Sequence, residues 1–162
     1  MNMKHCIECG TKLQTKYLDN EGIIPYCTTC EQLRFPVFST AVSVIITNTA
    51  KDKILLIQQY GKERNILVAG YINKGENAEE TVKREVFEEV GLYATDITYN
   101  RSEYYSKTNT LMLNFTCSVK YDDYVINTNE VDHVSWFTIQ ECKKHIAHGS
   151  LAEKFLSAYL QE

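Results

Sequence analysis

The chain has little proline, no long apolar run and no surplus of positive charge, and each shortage narrows what it can be. Only two prolines occur among 162 residues, Pro25 and Pro36, and there is no low-complexity linker or internal repeat. Hydrophobic residues make up 44% and charged residues 23%, an ordinary globular balance in a chain long enough to bury a core. The best candidate for a membrane span, Ala41–Ile46, is short and is interrupted by Ser43. It is far below the roughly 20 apolar residues a bilayer requires. No apolar signal-peptide core follows Met1–Cys6. A cytoplasmic protein without membrane contact is therefore expected. The formal net charge is −4. With no basic stripe, that balance argues against a dedicated nucleic-acid partner. It also means that an anionic substrate would need metal ions to offset its charge.

Cysteine is what the chain does have. Cys6-Ile7-Glu8-Cys9 and Cys27-Thr28-Thr29-Cys30 are two C-x-x-C pairs at the spacing of a four-cysteine zinc site. Each pair can form a tight turn that aims both sulfurs at one ion, and two turns close a tetrahedron. In a cytosolic chain, thiols or metal ligands are a better reading of six cysteines than disulfides. A single C-x-x-C could be a redox motif; two at this distance favour structural zinc. Cys117 and Cys142 stand apart, and no function is assigned to them.

The remaining pattern separates the chain near Pro36. Residues 1–34 carry the cysteine pairs and show no apolar period; residues 35–162 alternate strands and helices. Val37–Thr47, Ile54–Gln58 and Ile66–Ala69 read as strands, from their Val and Ile content and the polar turns between them. Asn77–Val90 reads as a helix, with Asn77 as N-cap, Glu80 completing a capping box and Gly91 as the stop. Val82, Val86 and Val90 recur every four residues, and Phe87 is expected beside them on one apolar face. Asp96–Tyr105, Leu111–Tyr121 and Val131–Phe137 read as further strands and Leu151–Leu160 as a terminal helix. The fold class expected is α+β, a mixed sheet packed between helices, with the four-cysteine ribbon in front.

Glu85 and Glu89, four residues apart, share one side of the central helix, and Glu88 borders it. Carboxylates this close raise one another's pKa. A hard divalent cation such as Mg²⁺ or Mn²⁺ would relieve the repulsion. Taken alone, such a helix is most often a solvated acidic face. Its surroundings change that reading. Gly70, five residues, Glu76, seven residues, then Arg84-Glu85-Val86-Phe87-Glu88-Glu89-Val90-Gly91-Leu92 match every fixed position of the Nudix box, G-x5-E-x7-R-E-U-x-E-E-x-G-U. The chain resembles the Nudix hydrolase family.

That resemblance implies cleavage of nucleoside diphosphates linked to another group, with the box forming a loop–helix–loop. It implies Glu85 and Glu89 as metal ligands, Glu88 as a further ligand or base, and the Ala69 carbonyl as part of the metal shell. Glu76 and Arg84 would hold the loop and helix together. A zinc ribbon joined to such a domain is similar to the NADH pyrophosphatase subfamily. So are Phe35-Pro36 with Ala41-Val42, and Glu130-Val131-Asp132-His133-Val134-Ser135-Trp136-Phe137, where the glutamate would supply another metal ligand. The subfamily's S-Q-P-W-P-F-P motif is only partly kept: Ser102, Tyr105 and Leu111-Met112 correspond, Glu103 stands where the motif has glutamine, and the prolines are gone. Tyr71 and Tyr105 would stack on a substrate ring, partly across a homodimer, with Glu103 a further candidate contact. The implied reaction converts NADH or NAD to AMP and a nicotinamide mononucleotide. ADP-ribose or a nucleotide sugar is the alternative substrate, NAD-capped RNA stays open, and a non-catalytic sensor or nucleic-acid-binding regulator is the alternative class. The intact carboxylates speak against that last reading.

Overall fold

The computed structural model describes residues 3–126 and 130–161. They form two compact units, one ending at Phe38 and the other beginning at Ser39. In the first, β1 (Gln14–Leu18), β2 (Gly22–Cys27) and β3 (Gln32–Leu33) make a small antiparallel sheet in that order. Nothing in the apolar spacing announces these strands. They are too small to own a hydrophobic face, and their sequence serves the turns that carry the cysteines.

The second unit contains β4 (Ser39–Thr47), β5 (Lys53–Gln59), β6 (Val68–Tyr71), α1 (Ala78–Val90), β7 (Ala94–Tyr105), β8 (Thr110–Val119), β9 (Val131–Thr138), α2 (Ile139–His145) and α3 (Leu151–Tyr159). The sheet runs β7-β8-β4-β5-β9, with β6 also pairing to β4. β4 and β8 are parallel, whereas the other pairings are antiparallel, so the sheet is mixed. Residues 41–47 of β4 are all buried because both faces of the sheet are covered. Strand alternation sends Val42, Val44, Ile46, Leu55 and Ile57 to a core with Val82, Val86 and Val90 of α1. Ile45, Ile54 and Leu56 go to a second core with Cys142 of α2 and Phe155 and Leu156 of α3. Burial of each large aliphatic side chain contributes roughly 1.5–3 kcal/mol. No described helix is long and apolar enough to cross a membrane.

Two details differ from the pattern in the sequence. Phe87 is exposed rather than part of the α1 core face, and its ring lies 5.1 Å from that of Tyr93. It follows Val86 by about 100° of helix, which turns it away from the sheet. The short helix α2 follows β9 directly: Thr138 caps it, with Glu141 closing the capping box. The strand geometry that matters most for function lies in β4. β6 flanks its first half, Ala41 to Val44, and the β5 pairing is at Thr47↔Ile54. β5 and β6 therefore follow one another along the edge of β4 opposite β8, and residues of both border a cavity.

Candidate active site

In the first unit the four cysteine sulfurs gather at one point, with all ligand atoms within 4.8 Å of one another. Cys6 and Cys30 sulfurs are 3.9 Å apart, and those of Cys9 and Cys27 are 3.4 Å apart. A tetrahedron with Zn–S bonds of about 2.3 Å has edges of about 3.8 Å, so the donor set fits such an ion. The first turn is closed by the Cys6 amide donating to the Thr11 carbonyl at 2.8 Å and the Gly10 amide to Cys6 at 3.0 Å. Arg34, not anticipated from the sequence, donates from Nε to the Cys6 sulfur at 3.2 Å and pairs with Glu8 at 2.6 Å. Donation from the Cys9 backbone, helped by Glu8 and Arg34, brings the Cys6 thiol down to about 6 against the effect of burial. Cys30 is pushed up to about 12, first by its contact with Cys9 and then by burial. Four thiols this close cannot all ionise together without a cation to offset their charge.

In the second unit the box builds a different kind of site. Asn77 caps α1 by accepting from the Glu80 amide, and Glu80 returns the bond to Asn77. Glu76, in the loop before the helix, accepts from the Asn73 amide at 3.1 Å, the Thr81 hydroxyl at 2.9 Å and Arg84 at 2.7 and 3.0 Å. Arg84 foremost, then the Asn73 amide, hold the Glu76 carboxyl down at about 2. Arg84 also reaches the Tyr71 carbonyl at 3.0 Å, Glu85 at 2.6 Å and Glu88 at 3.0 Å. One guanidinium thus ties the end of β6, the loop and the helix together, and its donors are spent on protein acceptors.

Glu85 and Glu89 are buried polar residues, 9% and 5% exposed. Burial raises the Glu85 carboxyl above its ordinary range, and Arg84 pulls in the opposite direction. Glu89 rises further, to about 8, first through burial and then through the charge of Glu85. Gln59 donates to Glu89 Oε1 at 2.9 Å, while Glu89 Oε2 is buried with no hydrogen-bond partner. A buried, unpartnered carboxylate oxygen is costly unless a cation meets it. Hard oxygen donors of this kind suit Mg²⁺ or Mn²⁺. The residues present therefore fit a divalent ion.

A cavity of about 650 Å³ brings most of the predicted residues together: Ala69, Tyr71, Arg84, Glu85, Glu89, Tyr105 and Glu130 all border it. Its remaining wall is largely apolar, with Ile66, Leu67, Met112 and Leu151. Three predicted residues stand outside it. Glu76 is engaged in the loop, and Glu88 is mostly exposed and bound by Arg84. Glu103 pairs with Lys154 at 2.8 Å and Arg101 at 3.4 Å; the Lys154 bond, ahead of other causes, pulls its carboxyl below the usual range. The carboxylates are more widely spread than the sulfurs. Among the described residues only the cysteines bring three or more such ligand atoms all within 4.8 Å. Gln59, Tyr60 and Asn73 border the cavity without having been singled out. Gln59 and Tyr60 are placed by strand register, whereas Asn73 lies in the box loop, where its amide donates to Glu76.

Comparison with known proteins bears on the family and the fold. The family model described as NUDIX domain matches residues 37–159. An NAD-capped RNA hydrolase NudC from Vibrio cholerae is 24% identical over 163 residues, covering 99% of this chain and 58% of that protein. The NudC protein of Pseudomonas aeruginosa is 28% identical, covering 97% and 55%. The chloroplastic Nudix hydrolase 19 of Arabidopsis thaliana is 30% identical, covering 88% and 34%. The chain thus spans little more than half the length of these NudC relatives. A NUDIX hydrolase structure from Nitrosomonas europaea superposes with a TM-score of 0.67 at 20% identity, covering 99% of this chain and 92% of that one.

Proposed function

This chain belongs to the NUDIX domain family, and we propose from that premise that it is a metal-dependent pyrophosphohydrolase that splits the diphosphate of a nucleotide derivative, NADH or NAD first among them. The observation that carries this reading is Glu89: its Oε2 is buried, unpartnered and set in the cavity wall beside Glu85. Such a group calls for a cation, and the cavity is large enough for a nucleotide beside it. The NudC names of two relatives support the choice of an NAD-type diphosphate.

Glu85, Glu89, Glu130 and the Ala69 carbonyl would hold Mg²⁺ or Mn²⁺, with Glu88 as a further ligand or base. When bound, such an ion neutralises the diphosphate and lowers the pKa of the attacking water. Glu76 and Arg84 keep the loop and helix in register, so the carboxylates stay placed while the substrate binds. A water oxygen adds to one phosphorus and its proton passes to a box carboxylate. The bridging P–O bond breaks, and its oxygen leaves on the second phosphate. From NADH the products are AMP and reduced nicotinamide mononucleotide. Tyr71 and Tyr105 clamp a substrate ring against the apolar wall. Both already border the cavity of one chain, so a homodimer would add to the clamp rather than create it. The cysteine cluster holds a structural Zn²⁺, since four thiolates leave no open coordination position. Thiolate ligands of this kind suit a reducing compartment, and the proposed setting is the cytoplasm.

The test is a panel of NADH, NAD, ADP-ribose, nucleotide sugars and nucleoside triphosphates with Mg²⁺ or Mn²⁺, with products resolved by chromatography. Metal-dependent release of AMP from NADH or NAD is expected. Preference for ADP-ribose would move the substrate but keep the reaction, whereas inactivity on every diphosphate would remove the enzyme reading.

A further inference from the structure

We propose that Gln59 and Tyr60 are positioning residues that present two carboxylates from different elements, Glu89 and Glu130, to the cation; this rests on the metal site proposed above. In a regular strand, neighbouring residues face opposite sides of the sheet. Gln59 and Tyr60 instead both border the cavity. The pairing of β5 with β9 explains how. Gln58 lies opposite His133, but Gln59 lies opposite Val131, so the register skips Asp132. Such bulges bend a strand and re-aim the side chains beside it.

The turn then continues. Tyr60 has φ of 54°, an uncommon backbone conformation for a bulky residue that typically survives only where its surroundings hold it. Here they do. The Tyr60 amide donates to the Glu130 carbonyl at 3.2 Å, its hydroxyl donates to Glu130 Oε2 at 2.8 Å, and the Gly61 amide donates to the Asp132 carboxylate at 2.6 Å. Tyr60 is therefore joined to Glu130 through both backbone and side chain.

The chemistry of the two donors suits the task. Glu85 is met by a guanidinium, which offsets its charge. Glu89 is met by the neutral amide of Gln59 on Oε1, which orients the carboxylate and leaves its charge available at Oε2. Glu130 likewise receives a neutral donor, the Tyr60 hydroxyl, which orients its carboxylate. Partners of this kind, one step removed from the ion, typically govern metal affinity about ten- to a hundredfold.

Mn²⁺ binding, followed by the electron paramagnetic resonance of the free ion, separates this proposal from the reading beneath it. Gln59→Leu and Tyr60→Phe are each expected to weaken Mn²⁺ about tenfold, with the zinc content unchanged. Gln59→Leu placed in a Glu89→Gln background should weaken it no further, because the carboxylate it orients is gone. Wild-type affinity in Gln59→Leu, beside lost affinity in Glu89→Gln, would overturn the positioning role and leave the metal site standing. Wild-type affinity in Glu89→Gln would overturn the metal site itself. Tyr60 is exposed, so Tyr60→Phe decides the matter if Gln59→Leu fails to fold; unchanged Mn²⁺ affinity there also counts against the proposal.

Discussion

Gly70 and Glu85 stand so close that a Cβ on Gly70 would occupy the space of the Glu85 carboxylate. The backbone at Gly70 is not in the left-handed region, so alanine could be accommodated by the strand itself. What it could not share is the position of the carboxylate, which Arg84 holds by an ion pair at 2.6 Å. Gly70→Ala is therefore expected to displace Glu85 while keeping the fold. A misplacement of about 1 Å at a reacting centre can cost about a hundredfold in rate. Steady-state kinetics beside a melting curve would check it: a large loss of kcat with little change in Tm is expected, and full activity would contradict the close approach.

Much of this site could be read in the sequence because its parts lie close together along the chain. The capping box, the i, i+4 spacing of Glu85 and Glu89, and the match of Arg84 to Glu76 all depend on residues at most eight positions apart. The two C-x-x-C turns were legible for the same reason. What escaped depends on long-range register. Gln59 meets Glu89 across 30 residues, and Tyr60 meets Glu130 across 70. Arg34 reaches Cys6 across 28. The ribbon strands β1 to β3 had no apolar period to reveal them. Phe87 shows the opposite failing: its hydrophobicity suggested the core, but the helical angle put it outside.

The carboxylates should make stability fall with rising pH when Mg²⁺ and Mn²⁺ are absent. Glu89 is raised from its ordinary 4.5 to about 8 in the fold, so between those values the folded state holds more proton than the unfolded chain. Its contribution is complete below 4.5 and is lost as pH rises through about 8. Glu85 shifts in the same direction. Glu76 shifts in the opposite direction, to about 2, so its contribution is lost only in acid. Thermal melts from about pH 5 to about pH 8 should slope downward in the wild type and flatten in Glu89→Gln. The rise in Tm on adding Mn²⁺ should grow with pH, since the ion needs the ionised carboxylate. Equal slopes in both proteins would contradict burial as the source of the shift.

The cysteine cluster should hold one zinc per chain, tightly enough to survive purification. Elemental analysis gives the stoichiometry, and a thiol reagent tests the ligands. Cys6, Cys9, Cys27 and Cys30 should react only after the ion is removed, whereas Cys117 and Cys142 are buried and should become reactive only on unfolding. Zinc-free protein with four reactive thiols would contradict the structural site.

Tyr105 should act on substrate affinity more than on the chemical step. Loss of a stacking partner costs about 1–3 kcal/mol per base. Tyr105→Ala is therefore expected to raise KM by roughly five- to a hundredfold, with Mn²⁺ binding unchanged, and Tyr105→Trp to retain activity. Unaltered kinetics with a lower Tm would make this tyrosine a packing residue and shift the search for specificity to the apolar wall around Met112 and Leu151.

The most direct test is the rate of AMP release from NADH with saturating Mn²⁺, measured for the wild type and for Glu89→Gln side by side. The wild type should be active only with the metal. Glu89→Gln should lose at least about a hundredfold, the several kcal/mol that a positioned metal ion contributes to the transition state, while its melting curve stays cooperative. Undiminished, metal-dependent release by Glu89→Gln would contradict the assignment of this buried carboxylate to the reaction.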